Sequence, residues 1–266
     1  MIVLEKFRNL FPINKQKTEI VNGKTMYLTQ EQFGKINVVV KSTKNKLNEA
    51  NDIINNVRPI LELYKDNGHI KDGLTISFIN DSEQPEVLGF ATRDRKNIEV
   101  CAEDIHVLYH EIGHHIDYEK TTLESESEQF KKLTEYYFDE IKTYEDELFA
   151  YSKNQTLKIL ENRGIDLTIE ETENIINHDW EEMKEYLYSS EEIYARYYAE
   201  HIRNILPDIP YSQPEYPNFY EQMAEFAYEK HPEIFEYYNE YFPELTGVAW
   251  NNLDKELTIR GESLEI

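Results

Sequence analysis

His110-Glu111-Ile112-Gly113-His114 is the stretch of sequence that decides the expected fold, because the H-E-x-x-H pattern has a mechanical meaning on a helix. Residues four apart share one helical face, so both imidazoles would point the same way and could provide two ligands of one Zn²⁺. Glu111 would then lie beside the water molecule that it deprotonates. The spacing predicts a helix that carries two metal ligands and a general base.

The residues around the motif support this prediction. Glu103-Asp104 precede it, and acidic residues favour a helix N-terminus. Gly113 lowers helix stability, so its presence predicts a close approach of neighbouring backbone or substrate. A strand predicted at Asn97–Val100 precedes the helix, and an edge strand there could hold a peptide by backbone pairing.

The rest of the chain changes from strand-like to helix-like patterns. Asn22-Gly23 between Thr18–Val21 and Lys24–Leu28 indicates a hairpin, and residues 36–40 and 74–79 read as further strands. Helical periodicity follows over Leu47–Tyr64, where Pro59 is a candidate kink. Further helices are predicted near 103–120, 124–142, 145–163, 169–187, 190–206, 218–230 and 232–242, with an extended proline-rich connection at 207–217. These patterns predict an α+β fold with a small N-terminal or edge β-sheet followed by a mainly helical body.

Composition narrows the classes of function. The chain has 266 residues, with 52 acidic against 28 basic side chains and a net charge of -24. Such a surface repels phosphate backbones and anionic lipid, so we expect neither nucleic-acid nor membrane binding. The sequence shows no signal peptide or membrane span, which predicts a cytoplasmic protein and leaves delivery by a non-standard route open. The single cysteine, Cys101, lies in an apolar run and reads as a core residue, and the sequence does not predict the oligomeric state.

A catalytic zinc site needs a third protein ligand and an open position for water. The best candidate segment runs from Ser189 to Ala199, where Ser189 would cap a helix and Glu191 and Glu192 would fall in its first turn.

Two motifs in this chain resemble those of zinc peptidases of the anthrax lethal factor type, which include the clostridial Pro-Pro endopeptidases. Residues 110–117 match H-E-x-G-H-x-x-D, and residues 192–198 match E-x-x-A-x-x-[FY]. The same E-x-x-A pattern occurs in ImmA/IrrE-type peptidases and phage-associated HExxH proteins. The resemblance covers at most residues 74–242 and implies Glu192 as the third ligand, with Glu191 as the nearest rival. It also implies a zincin-like metallopeptidase domain at 74–266. Residues 1–73 lie outside the resemblance and read as an N-terminal β/α segment of unknown role.

The separation of the two motifs departs from the family pattern. Glu192 follows His114 by 78 positions, more than we expect for the family, and the added length reads as extra helix between about 145 and 187.

Further roles follow for residues near the motifs. Lethal-factor-like enzymes use a tyrosine before the glutamate helix to stabilise the oxyanion, which implies Tyr186, with Tyr188 as the alternative. Asp117 shares the helical face of His110 but would lie about 10 Å along the axis from it, too far to bind the same ion. We expect Asp117 to anchor local packing and to orient a metal ligand or pair with a nearby cation. Arg196 is expected to support the ligands or to form a salt bridge. His115 points elsewhere and is expected to be structural or solvent-facing.

The leading hypothesis is a zinc-dependent endopeptidase that binds one Zn²⁺ per chain and acts on a peptide or protein substrate. His110, His114 and Glu192 would hold the metal, and Glu111 would take a proton from water and return it to the leaving amine. The alternative is a catalytically restricted or inactive, metal-stabilised binding or regulatory protein of phage or mobile-element type. A third reading, an accidental motif, predicts no bound metal.

Overall fold

The computed structural model describes residues 17–21, 23–65, 67–81, 88–102, 107–119, 122–205 and 219–242. Within these ranges one mixed sheet of six strands lies beside eight α-helices, which confirms the α+β fold class. The predictions for Glu103-Asp104 and for residues 207–217 lie outside the described residues.

The sheet is antiparallel at both ends and parallel in its middle. Its strands are β1 (Thr18–Val21), β2 (Lys24–Phe33), β3 (Ile36–Ser42), β4 (Thr75–Asn80), β5 (Gly89–Ala91) and β6 (Asn97–Cys101). The order is β1-β2-β3-β4-β6-β5, and β3, β4 and β6 run parallel to one another. Alternate residues of β3, among them Ile36, Val38 and Val40, are fully buried, as expected for the core-facing positions of a pleated strand.

The predicted hairpin is confirmed. Val21 pairs with Lys24 in the antiparallel register of β1 and β2, and Gly23 has a φ of 77°, a left-handed conformation that favours glycine. Strand β2 continues to Phe33, five residues beyond its predicted end at Leu28, because it pairs with β3 along its whole second half.

The helices follow the predicted periodicity closely. They are α1 (Ala50–Tyr64), α2 (Val107–Asp117), α3 (Glu128–Thr143), α4 (Glu145–Asn162), α5 (Ile169–Leu187), α6 (Ser190–Ile205), α7 (Phe219–Lys230) and α8 (Pro232–Tyr241). Short 3₁₀ turns at Lys44–Glu49 and Glu124–Glu126 occupy the starts predicted for α1 and α3. The N-cap of α3 is Ser127, whose side chain accepts a hydrogen bond from the Phe130 amide.

The predicted boundary between residues 73 and 74 falls within this sheet. Strand β3 comes from the segment before it and pairs in parallel with β4 from the segment after it. The hydroxyls of Tyr64 on α1 and Tyr198 on α6 hydrogen-bond to each other in the core. Residues 17–65 therefore supply half of the sheet and one helix to the same hydrophobic core that carries the motifs.

Buried tyrosines account for much of the aromatic composition. Tyr194, Tyr197 and Tyr198 of α6 are fully buried, and the hydroxyls of Tyr197 and Tyr198 have hydrogen-bond partners in this core. The hydroxyl of Tyr197 donates to the Leu133 carbonyl at 3.3 Å, and that of Tyr238 donates to the Tyr194 carbonyl at 2.9 Å. The α6 helix is thus buried on nearly all sides.

Helices α4 and α5 form a hairpin that occupies the extra length between the motifs. Each buries only three side chains: Leu148, Ser152 and Thr156 on α4, and Ile176, Trp180 and Leu187 on α5. The capping box of Thr168 and Glu171 fixes the start of α5. Among the described helices, none combines the length and apolarity needed to cross a membrane.

Candidate metal centre

The two motifs meet where α2 packs against α6. Gly113 of α2 lies directly against Ala195 of α6: a Cβ built on Gly113 would be 2.9 Å from the Ala195 Cα. The predicted close approach at Gly113 is therefore made by the backbone of the helix that carries the second motif. A larger residue at position 113 could not pack there without separating the helices.

Three side chains from these helices converge on one point. The Nε2 atoms of His110 and His114 are 3.0 Å apart, and oxygens of the Glu192 carboxylate lie 3.3 Å and 3.4 Å from them. Ligands about 2.0–2.1 Å from a tetrahedral ion are themselves about 3.3 Å apart, so this triangle has the size of one face of such a site. Among the described residues, it is the one group of three such side chains with spacing that could hold a metal ion.

The triangle combines a charged carboxylate with two largely buried imidazoles. Burial acts to raise the pKa of Glu192, but its hydrogen bonds with His110 and His114 and the charge of Arg196 hold that pKa well below its usual range. Burial lowers the pKa of His110 to about 4, which leaves its imidazole neutral, as metal binding requires. Glu192 raises the pKa of His114 despite the burial of the ring. The site therefore holds one carboxylate charge close to imidazole nitrogens.

Glu111 lies beside the triangle in an enclosed position. Its residue is 5% exposed, and burial raises the pKa of its carboxyl to about 7. Strand β5 closes over it, since a Cβ on Gly89 would be 3.0 Å from Glu111 Oε1 and 2.6 Å from Val107 Cγ1. A carboxyl with this pKa can accept and return a proton near neutral pH.

Adjacent glutamates on α6 have different partners. The Glu192 carboxylate lies at the histidines, whereas Glu191 accepts hydrogen bonds of 2.7 Å and 2.9 Å from Arg93. Tyr118 also donates to Glu191 at 3.3 Å, and the Arg93 guanidinium lies over the Tyr118 ring. The structure thus brings Glu192 to the histidine pair and directs Glu191 to an ion pair at the rim.

Arg196 and Tyr186 lie behind and beside Glu192. Arg196 is buried, contacts Glu192 Oε2 at 3.4 Å and donates to the Tyr137 hydroxyl at 3.1 Å. The Arg196 guanidinium lies 4.7 Å from the Tyr186 ring centroid, and the Tyr186 hydroxyl is within hydrogen-bonding range of Glu192 and Arg196. Burial raises the pKa of Tyr186, so its hydroxyl keeps its proton and can donate a hydrogen bond. Tyr188, in contrast, packs its ring against Phe138.

Asp117 and His115 are buried beside the site and form hydrogen bonds that connect α2 to neighbouring segments. Asp117 is buried and accepts hydrogen bonds from the Ser125 amide at 2.8 Å and the Ser125 hydroxyl at 2.7 Å, which anchors the turn before α3 to α2. His115 is fully buried, and its Nε2 accepts a hydrogen bond from the Lys71 amide at 3.3 Å. Arg95 approaches the same nitrogen at 3.4 Å.

The edge strand beside the site is β5, and the prediction that Asn97–Val100 forms an edge was wrong. Strand β6 lies between β4 and β5 because Gly89–Ala91 pairs along its outer side. The Leu88 carbonyl and the Thr92 amide bond to β6. In an antiparallel ladder, the backbone groups of Gly89 and Ala91 must then point away from β6, towards the outer side of the sheet.

Sequence reasoning missed Gly89, Arg93 and Tyr118. No motif marks them, and their partners are distant in the chain: Arg93 and Glu191 are 98 residues apart. A glycine in a strand pattern does indicate a close approach, and this signal could have identified Gly89. No family model matches the chain, and no curated protein or solved structure is significantly similar to it.

Proposed function

We propose that this protein is a zinc-dependent endopeptidase with a zincin-like body, related to the lethal factor and Pro-Pro endopeptidase type. The observation that carries the proposal is the triangle of His110, His114 and Glu192 with Glu111 beside it. Two imidazoles and one carboxylate are a donor set of catalytic zinc sites, in which the fourth position stays open for water or substrate. The same donors also suit Fe(II), so the metal content is part of the test.

The residues around the triangle have the chemistry that peptide hydrolysis needs. Zn²⁺ bound there would supply a Lewis acid that lowers the pKa of water and polarises a carbonyl. Glu111, with a pKa near 7, takes a proton from the attacking water and passes it to the leaving amine. The Tyr186 hydroxyl donates a hydrogen bond to the carbonyl oxygen as it gains charge.

Strand β5 offers a place for the substrate. The outward-facing backbone groups of Gly89 and Ala91 can pair with an extended peptide, and Gly89 lies against Glu111. A peptide held in this way passes beside the general base. Its side chains would alternate between the Phe90 side and the Glu111 side of the strand.

The test combines metal analysis with peptide cleavage. Wild-type protein reconstituted with zinc is assayed by elemental analysis and against a peptide library read by mass spectrometry. We expect one zinc per chain and cleavage, with Glu111→Gln keeping the zinc and losing activity by about 10²-fold or more. His110→Ala should lose both.

Two outcomes would reject the proposal. Full zinc loading without cleavage of any library peptide would favour a metal-stabilised binding or regulatory protein instead. If the reconstituted protein contains no bound metal, the H-E-x-x-H pattern is accidental.

A further inference from the structure

We propose that Gly113 and Ala195 are positioning residues whose direct contact sets the distance from Glu192 to the two histidines. The inference rests on the proposed metal site and explains how that site is assembled from two helices. Gly113 immediately precedes His114 and follows His110 by three residues, and Ala195 follows Glu192 by three residues. On each helix the small residue and a metal ligand therefore lie within one turn on the same side.

The contact between the two residues leaves no room for a side chain at position 113. A Cβ on Gly113 would meet the Ala195 Cα at 2.9 Å, and its Cβ and carbonyl oxygen at 3.3 Å each. Helix axes in proteins are commonly about 8–10 Å apart, and only small residues at the contact allow a closer approach. The nearest atom belongs to the backbone of α6, and an alanine side chain has no rotamer to change, so no side-chain rotation can relieve a clash there.

The size of the clash can be compared with the tolerance of a metal site. Carbon atoms in contact lie about 3.5–4.0 Å apart, so one methyl group at position 113 must move α6 by about half an ångström or more. Metal–ligand distances hold within about 0.2 Å. One added methyl group should therefore change the metal geometry more than it disturbs the core.

Glu192 has little freedom to compensate for such a movement. It lies on the same rigid helix as Ala195, and its carboxylate is also held by Arg196 at 3.4 Å. Arg196 is buried and bonded to Tyr137 on α3, so it cannot follow a displaced glutamate freely. A shift of α6 is therefore transmitted to the third ligand.

The experiment measures metal binding and leaves peptide hydrolysis aside. Zn²⁺ affinity by chelator competition, and the visible absorption of the Co²⁺-substituted protein, are compared for wild type, Gly113→Ala, Ala195→Gly and the double variant. We expect Gly113→Ala to weaken Zn²⁺ binding by about 10–100-fold and to change the Co²⁺ spectrum. Ala195→Gly should bind almost normally, and the double variant should recover only part of the loss, because the clash with the Ala195 Cα remains.

A matched control distinguishes a change in the geometry of the metal site from a general loss of folding stability. Ile202→Val removes one buried methyl group from the far end of α6, so it should reduce resistance to urea while leaving both metal readouts unchanged. If Gly113→Ala does not fold, Ala195→Ser provides a milder push at the same contact with the same expected direction. Normal Zn²⁺ affinity and an unchanged Co²⁺ spectrum in folded Gly113→Ala or Ala195→Ser would overturn the inference. Failure of the wild type to bind metal would instead reject the proposed function.

Discussion

The adjacent residues Glu191 and Glu192 contact different partners at the candidate site. Successive helical positions are rotated by about 100°, so Glu191 and Glu192 cannot point at the same partner. Glu192 faces the histidines, and Glu191 pairs with Arg93 above the Tyr118 ring. The Tyr118 ring in turn stacks on His114 with centroids 5.9 Å apart. Glu192 thus lies at the proposed metal site, while Glu191 and Arg93 contact the Tyr118 ring that stacks on the proposed ligand His114.

We expect the two glutamates to respond differently to the same substitution. Glu192→Gln removes a ligand charge from the triangle and should weaken Zn²⁺ binding by about tenfold or more, while Glu191→Gln should change it by about threefold or less. Chelator competition measures both, and each variant is the matched control of the other. Equal losses in the two variants would contradict the assignment of Glu192 as the third ligand.

The sequence could predict some of these residues and not others. His110, Glu111 and His114 follow from local spacing, because four residues make one helical turn. Glu192 needed the resemblance, since nothing local to residue 192 shows that α6 packs on α2. The contacts of Arg93 and Gly89 depend on the arrangement of β5 against both helices, and no local signal marks Arg93.

At the scale of elements, the short strand β5 lies beside the candidate site. It has three residues and contains a glycine, so no strand pattern predicts it. Its presence turns β6 into an inner strand and presents the backbone of Gly89 and Ala91 on the outer side. Longer elements such as α5 and α6 were predictable, because their periodicity extends over four turns or more.

Proline substitutions can test which backbone groups of β5 serve a substrate. The Ala91 amide points away from β6, so Ala91→Pro should leave the sheet intact but remove a donor to a bound peptide. The loss of one hydrogen bond, about 1 kcal/mol, corresponds to a decrease of about fivefold in kcat/KM. Cleavage kinetics and urea unfolding of the same preparation measure the two effects.

The control for this prediction is the adjacent residue. Phe90 lies opposite Glu99 at a position whose backbone groups face β6, so Phe90→Pro should instead destabilise the β5–β6 pair. If Ala91→Pro destabilises the protein as much as Phe90→Pro does, the Ala91 amide does not point away from β6 as assigned. Unchanged kcat/KM in a folded Ala91→Pro would show that peptides do not pair with β5.

At the scale of the whole molecule, the chain has a net charge of -24, and its aromatic core contains a histidine that burial keeps neutral. His201 of α6 is fully buried, with its Nδ1 2.9 Å from the Tyr228 hydroxyl and its ring stacked on Tyr238. Burial lowers the pKa of His201 to about 4. The cost of charging this imidazole inside the aromatic core links the stability of the entire fold to pH.

We predict that His201 makes the free energy of unfolding decrease as the pH falls. Because the folded-state pKa, about 4, lies below the unfolded value of about 6.5, the stabilisation is fully present above pH 6.5. It is lost as pH falls from about 6.5 towards about 4, which amounts to about 3 kcal/mol for a fully buried group. His201→Gln does not titrate, so its free energy of unfolding should fall less between pH 7.5 and pH 4.5 than that of the wild type, by about 2–3 kcal/mol. Urea unfolding at the two pH values measures this difference, and carboxylate titration common to both proteins cancels.

His178→Gln changes an imidazole that is 71% exposed and should retain the wild-type pH dependence. Equal pH dependence in His201→Gln and wild type would show that His201 is not held neutral by the core.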